Sequence, residues 1–191
     1  MARAGLNAER VTRAAADLAD QVGLEKVTVS AVARGFGVKD ASLYAHLSSL
    51  AELRERIAGL AMAELADALG DAVAGRSGRA ALTAFADAYR DFALAHPGRY
   101  AATQLNIECE GGHRVVAACA ALLRGYRLED VDAVDAVRLL CSSFHGWVTL
   151  EAADRFRSDR PMAESWQVAL TALDGALRTW GGRAGVPRAS V

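Results

Sequence analysis

Several groups of side chains in this 191-residue chain are of types that do chemistry. Cys109, Glu110 and His113 place a thiol, a carboxylate and an imidazole close together, the constituents of a thiol–histidine pair or a metal site. Gly111 and Gly112 stand between them, where a turn is expected, so a shared helical face is not, and no third ligand follows at helical spacing. His145 and Glu151 do not form the H-E-x-x-H pattern that holds zinc, and no glycine-rich phosphate loop occurs. Cys109, Cys119 and Cys141 contain no C-x-x-C and read as small buried hydrophobes. An enzyme, a metal and a cofactor are therefore not expected.

A second group points elsewhere. Leu43 and Leu47, four residues apart, mark one apolar side of a short helix expected over about Asp40 to Leu47. Lys39, Asp40, Ala41, Ser42, Tyr44, Ala45 and His46 then face outward. They are mostly short or polar, as a helix approaching base edges requires, because a bulky apolar residue would hold the backbone out of the major groove.

The elements that must position this helix are legible upstream. Asn7 caps a first helix whose apolar positions Val11, Ala14, Ala15, Leu18 and Val22 recur at helical spacing, and Gly23 ends it. Thr28 caps a second, Val29 to Phe36, with Val32 and Ala33 inward, and Gly37 supplies the positive φ of a sharp turn. Helix, glycine turn and helix in this order form a helix-turn-helix, whose last member enters the major groove.

Thr28, Val32-Ala33, Gly37-Val38, Ser42-Leu43-Tyr44, His46-Leu47 and Leu53 match the TetR family signature in type and spacing, so the N-terminal quarter resembles that family's DNA-binding domain. The resemblance implies that Lys39, Asp40, Ala41 and Ser42 read bases and that Thr28, Tyr44 and His46 contact phosphates. It also implies a homodimer and a small-molecule effector. Two positions depart from the pattern. Lys39 replaces a small capping residue, which leaves Asp40 as an alternative cap, or else as an acceptor for a cytosine amino group. Leu50 replaces a phosphate-binding lysine, so Ser48, Ser49 or a backbone N–H at that helix start is offered in its place. Tyr44 is expected to bury its ring and expose its hydroxyl. Arg3 is either a loose tail or a minor-groove arm.

Composition sets the frame. The net charge of −1 gives no bulk attraction to nucleic acid, and residues 1–56 hold eight basic side chains against seven acidic. The DNA reading thus rests on pattern. Few prolines and many alanines and leucines favour an all-α fold of about nine helices. The longest apolar run, Val115 to Leu123, is too short for a membrane span, and no secretory h-region opens the chain, so a cytoplasmic location is expected.

Beyond Leu50 the pattern predicts a long helix to about Ala74, helices over Arg79–Ala95, Tyr100–Glu108, His113–Gly125 and Val131–Phe156, and a last one over Met162–Trp180. His96-Pro97-Gly98 is read as a stop. The Val131–Phe156 helix is apolar nearly all round and must be covered on both faces. Self-association through the last two helices, with Leu150, Trp166, Leu170, Leu173 and Leu177 at the dimer interface, is the expected solution. His145-Gly146-Trp147 and Leu150-Glu151 resemble a TetR subgroup with a Trp/His-Gly element in its C-terminal domain.

The domain expectation is a DNA-binding domain at 1–48, a ligand-binding and dimerisation domain at 49–181, and a disordered tail at 182–191. Phe85, Tyr89, Phe92, Tyr100, Phe144, His145 and Trp147 are the candidate ligand-pocket residues, suited to an apolar or aromatic effector. Arg90, Arg99, Glu108 and His113 are weaker polar candidates. Together these imply a repressor, released by that ligand from a palindromic operator read by two recognition helices. A structural adaptor is the other non-enzymatic alternative, but leaves the threonine cap, glycine turn and Tyr-x-His spacing unexplained.

Overall fold

The computed structural model describes residues 5–180. Arg3 and the expected tail at 182–191 lie outside them. The described residues form nine α-helices and no strand: α1 (Ala8–Val22), α2 (Val29–Phe36), α3 (Asp40–Leu43), α4 (Leu50–Val73), α5 (Gly78–Ala95), α6 (Pro97–Thr103), α7 (Glu110–Arg124), α8 (Asp130–Ala152) and α9 (Met162–Trp180), with one 3-10 turn at Leu24–Lys26. None of these helices is long and apolar enough to cross a membrane.

Four boundaries differ from the sequence expectation. α3 keeps α-helical form only to Leu43; a turn carries the chain to His46, whose N–H donates to the Leu43 carbonyl at 2.8 Å. α6 starts at Pro97 rather than Tyr100, because a proline at the first helical position loses only an N–H that has no partner there. α8 ends at Ala152, short of Phe156. Gly111 and Gly112 are helical, not a turn: a Cβ on Gly111 would lie 2.6 Å from the Ala63 backbone nitrogen, so glycine here serves a close approach of α7 to α4.

The chain divides into two compact units, residues up to 68 with 91–115, and residues 69–90 with 116 onward. In the first, Val11, Ala15, Ala16 and Ala19 of α1 pack with Val32 and Ala33 of α2, Leu43, Leu47, Leu53 and Ile57. The buried stripe of α1 is turned from the expected one, since Ala14 and Leu18 are half-buried and Val22 is exposed. Its alanines let α6 come close. A Cβ on Gly98 would meet the Ala19 carbonyl and lie 2.5 Å from the Asp20 nitrogen. Arg99 of α6 is buried against α1 and α4: its guanidinium pairs with Asp20, reaches Asp17 at 2.6 Å and Glu64 at 3.0 Å, and its N–H donates to Asp20 at 2.8 Å. An arginine fork suits this clustering of carboxylates better than a lysine point charge would.

The second unit centres on Leu82, Phe85, Leu122, Leu123, Leu140, Phe144, Trp166, Leu170 and Leu177, all buried. Polar side chains lock its helices: Trp166 donates to Asp87 at 2.7 Å, Arg90 pairs with Glu151, and Tyr126 donates to Asp174 at 2.6 Å.

Candidate nucleic-acid interface

Local rules build the recognition element. The Thr28 hydroxyl oxygen accepts from the Ala31 N–H at 3.1 Å, satisfying an orphan donor at the start of α2. At the other end Gly37 adopts the left-handed conformation, φ 66°. The Val38 N–H then bonds to the Ala33 carbonyl at 3.0 Å and the Gly37 N–H to that of Arg34 at 3.1 Å, a Schellman closure that turns the chain sharply into α3.

Leu43 is fully buried and Leu47 nearly so, which pins the α3 segment from behind. Lys39, Asp40, Ala41, Ser42 and Ala45 are exposed, as is Thr28. Tyr44 is 54% exposed, so its ring is far more open than the expectation that it packs on the core. His46 is half-buried, and its carbonyl accepts from Arg56 at 2.8 Å. Six of the seven expected DNA-contact residues therefore belong to one short segment, residues 39–46, with Leu43 and Leu47 turned inward, and the seventh, Thr28, caps the helix before it.

Two of the finer expectations are corrected. Asp40 does not cap α3; Lys39 takes the cap position without a side-chain bond, and the Asp40 carboxylate accepts from the Ser30 hydroxyl of α2. Ser48 is not free to replace the missing lysine. Its N–H and hydroxyl both donate to Glu52, at 2.5 and 2.6 Å, while the Ser49 hydroxyl accepts from the Glu52 N–H at 3.1 Å. These bonds from Ser48, aided by Arg56 at 2.5 Å, hold the Glu52 carboxyl below its ordinary range. The positive end of α4 thus carries its own anion.

The candidate ligand residues divide. Phe85, Tyr89 and Phe144 form a buried aromatic group in the second unit, with ring centroids 6.1 Å apart for Phe85–Phe144 and 5.7 Å for Tyr89–Phe144. Trp166 joins it at 6.0 Å from Phe144, and Trp147 lies 5.0 Å from Trp166 and from Phe156. Phe92 and Tyr100 belong to the first unit, where the Phe92 and His96 rings meet at a tilt of 53° with centroids 5.3 Å apart. His145 is exposed. Trp147 lines a cavity of about 280 Å³, with Phe156, Met162, Arg155, Arg157 and Arg160. Sequence reasoning did not mark Phe156 or Met162, which sit at helix margins where periodicity carries no signal. Among the weaker polar candidates, Arg90 and Arg99 are engaged by protein carboxylates, and His113 lies 3.7 Å from Glu108. No cluster of three metal-ligating side chains occurs among the described residues.

The dimer expectation is revised for three residues. Trp166, Leu170 and Leu177 are covered by the protomer itself, at 3%, 1% and 0% exposure, and Leu173 is half-buried. Leu150 remains open, with Val131, Val134 and Val168. The outward stripe of α9 is instead Val168, Thr171, Ala172, Gly175 and Thr179, all exposed.

Residues 11–57 match the family model of bacterial regulatory proteins, tetR family, and residues 82–173 match that of the tetracyclin repressor-like C-terminal domain. A Bacillus subtilis (strain 168) protein, the uncharacterized HTH-type transcriptional regulator YobS, is 33% identical over 182 residues, covering 92% of this chain and 95% of its own length. Among solved structures, a single-residue variant of TetR from Acinetobacter baumannii AYE in complex with minocycline superposes with a TM-score of 0.68 at 19% identity, over 95% of this chain and 100% of that one. BioQ with its double-stranded DNA operator gives a TM-score of 0.64 at 19% identity, over 92% and 99%. At those identities the likeness is one of fold.

Proposed function

Because this chain belongs to the TetR family of helix-turn-helix transcriptional regulators, we propose that it is a homodimeric repressor released from a palindromic operator by a small apolar or aromatic effector. The observation that carries the reading is the exposed segment Lys39–His46, polar or short on its open side, backed by buried Leu43 and Leu47. Lys39, Asp40, Ala41 and Ser42 read base edges, with Asp40 oriented by Ser30, and Thr28, Tyr44 and His46 take phosphates. Residues 1–48 act as the reading domain and 49–181 as the part that answers to ligand and partner, in the cytoplasm.

The outer faces of α8 and α9, with Leu150, Val168, Ala172 and Gly175, supply the two-fold contact, since small residues allow two copies of α9 to approach closely. Two recognition segments roughly 35 Å apart then address successive major grooves on one face of the duplex. The effector lies against the aromatic group of Phe85, Tyr89, Phe144 and Trp147 and enters by the cavity at Trp147 and Phe156. Its release of DNA equals its preference for the non-binding arrangement of the dimer. BioQ bound to its operator and the TetR variant bound to minocycline show both kinds of complex on the same fold.

Selection of binders from a random duplex pool by the full chain, followed by salt-dependent gel shift, tests the reading. A palindromic consensus is expected, bound less tightly as salt rises. Ser42→Ala and Tyr44→Ala should lose the shift while keeping the dimer by light scattering. Binding retained by both variants, or no enriched sequence, would remove the assignment.

A further inference from the structure

The loop between α8 and α9, residues 153–161, carries Arg155, Arg157 and Arg160. These arginines share the lining of the 280 Å³ cavity with Trp147, Phe156 and Met162, and all six belong to the second compact unit. The cavity thus has an apolar, largely aromatic floor of half-buried side chains and a rim of exposed guanidinium groups. Backbone bonds give the rim a fixed footing: the Arg155 N–H donates to the Leu150 carbonyl at 2.9 Å and the Arg160 N–H to the Ser158 hydroxyl at 3.2 Å.

The charge on that rim is not matched from within. Three arginines line the cavity and no carboxylate does, among the described residues. Glu151, next to Trp147, is engaged elsewhere: it accepts from Arg90 Nε at 2.7 Å and from Trp147 Nε1 at 3.1 Å. Arg160 reaches Glu164 at 3.7 Å, but both side chains are more than half exposed and such a pair is weak. Arg155 and Arg157 have no side-chain partner among the described residues, although Asp154 and Asp159 stand on the same loop. On the floor, the bond to Glu151 sets the orientation of the Trp147 indole, and the Trp147 and Phe156 centroids lie 5.0 Å apart. A flat ring has a preformed wall there.

We propose that this cavity takes a small aromatic carboxylate, its ring against Trp147 and Phe156 and its carboxylate accepting from the guanidinium groups of Arg155 and Arg157. The planar arginine fork matches a carboxylate with paired donors, which an amide or ester of the same shape cannot answer. A volume of about 280 Å³ falls just under the range of roughly 300–1,000 Å³ for drug-sized ligands, so one or two rings fill it. The inference rests on the effector-released reading given above and narrows its ligand from an apolar or aromatic molecule to an aromatic acid.

The experiment titrates the full chain, without DNA, with 1-naphthoate and with its neutral isostere 1-naphthamide by calorimetry. The acid should bind at least about tenfold more tightly, the lower end for hydrogen bonds to a charged group. Replacing both rim residues, Arg155→Ala with Arg157→Ala, should leave acid and amide binding alike; both side chains are exposed, so the fold should not suffer. Arg138→Ala, which removes an exposed positive charge of α8 outside the cavity, should leave the preference intact. Trp147→Leu should weaken both ligands; if it fails to fold, the arginine variants still decide. Equal binding of acid and amide, no binding of the acid at millimolar concentration, or a preference that survives the double variant overturns the inference. Gel shift on the selected duplex scores the underlying reading separately. An amide that binds independently of the arginines and releases DNA would keep the ligand-released repressor and remove the acid. An acid that binds through the arginines but leaves the duplex bound would keep the site and remove the release.

Discussion

Gly98 of α6 rests directly on the Ala19 carbonyl of α1, closer than any side chain would permit. The obstacle is backbone on both sides, so a substituent cannot be relieved by a rotamer change. Gly98→Ala should therefore push α6 off α1 and destabilise the first compact unit by about 1–3 kcal/mol or more, the range for overpacking a well-packed site. Gly70→Ala is the control. That glycine lies inside α4 with nothing near its missing Cβ, so alanine should stabilise by about 0.5–1 kcal/mol through helix propensity. Chemical denaturation followed by circular dichroism distinguishes the two signs.

Thr28 combines two roles that substitution can separate. Its oxygen accepts from the Ala31 N–H, leaving the hydroxyl proton for a phosphate. Thr28→Ala should cost about 1 kcal/mol by loss of the cap. Thr28→Asp keeps a good capping acceptor but removes the donor and adds a charge that repels phosphate. It should melt close to the parent and yet lose operator binding by gel shift, while Thr28→Ser should retain both.

The helix-turn-helix was legible because its rules are local: a threonine before α2, a glycine after it, and two leucines four apart suffice. What sequence could not supply depends on neighbours. Gly111 breaks a helix by propensity but is helical here because α4 lies against it. Pro97 ends one helix and starts the next, and the pattern offered no choice between those meanings. On α1, alanines served either face equally well, so the stripe was placed one position off. Trp166, Leu170 and Leu177 were marked as a buried face, yet periodicity says nothing of whether a helix is covered by its own chain or by another. The aromatic group of Phe85, Tyr89 and Phe144 was found by residue type, but which of the candidate aromatics share a compact unit came only with the fold.

Asp174 makes part of the fold sensitive to acid. Burial opposes its charge, but bonds from Arg178 at 2.8 Å and Tyr126 at 2.6 Å prevail and hold its carboxyl below the ordinary range. Burial, then the bond to this carboxylate, pushes the Tyr126 hydroxyl up, so it stays a donor at every physiological pH. A carboxyl depressed in the folded state lends stability above its unfolded value, about 3.9, and loses it as pH falls through the folded value. Tyr126→Phe should cost about 1.5–3 kcal/mol at neutral pH, typical of a hydrogen bond to a charged group. It should also shrink the fall in melting temperature below about pH 4. An unchanged acid limb would show that Asp174 is not what the acid titrates.

Lys39 gives the most direct test of how the recognition segment meets DNA. It is exposed at the start of α3, its side chain makes no capping bond, and it lies beside Asp40, whose carboxylate is held by Ser30. If its ammonium reads a guanine edge, Lys39→Ala should relax sequence preference at one operator position by about 1–3 kcal/mol. If it neutralises a phosphate, the same change should weaken all sequences alike and reduce the slope of log affinity against log salt by about 1. The resemblance to the TetR signature assigns it to a base. Binding isotherms on the selected duplex and on single-base variants, each at several salt concentrations, separate the outcomes. A uniform loss with a shallower slope would move Lys39 to the phosphate contacts and leave Ala41 and Ser42, with Asp40, to carry sequence recognition.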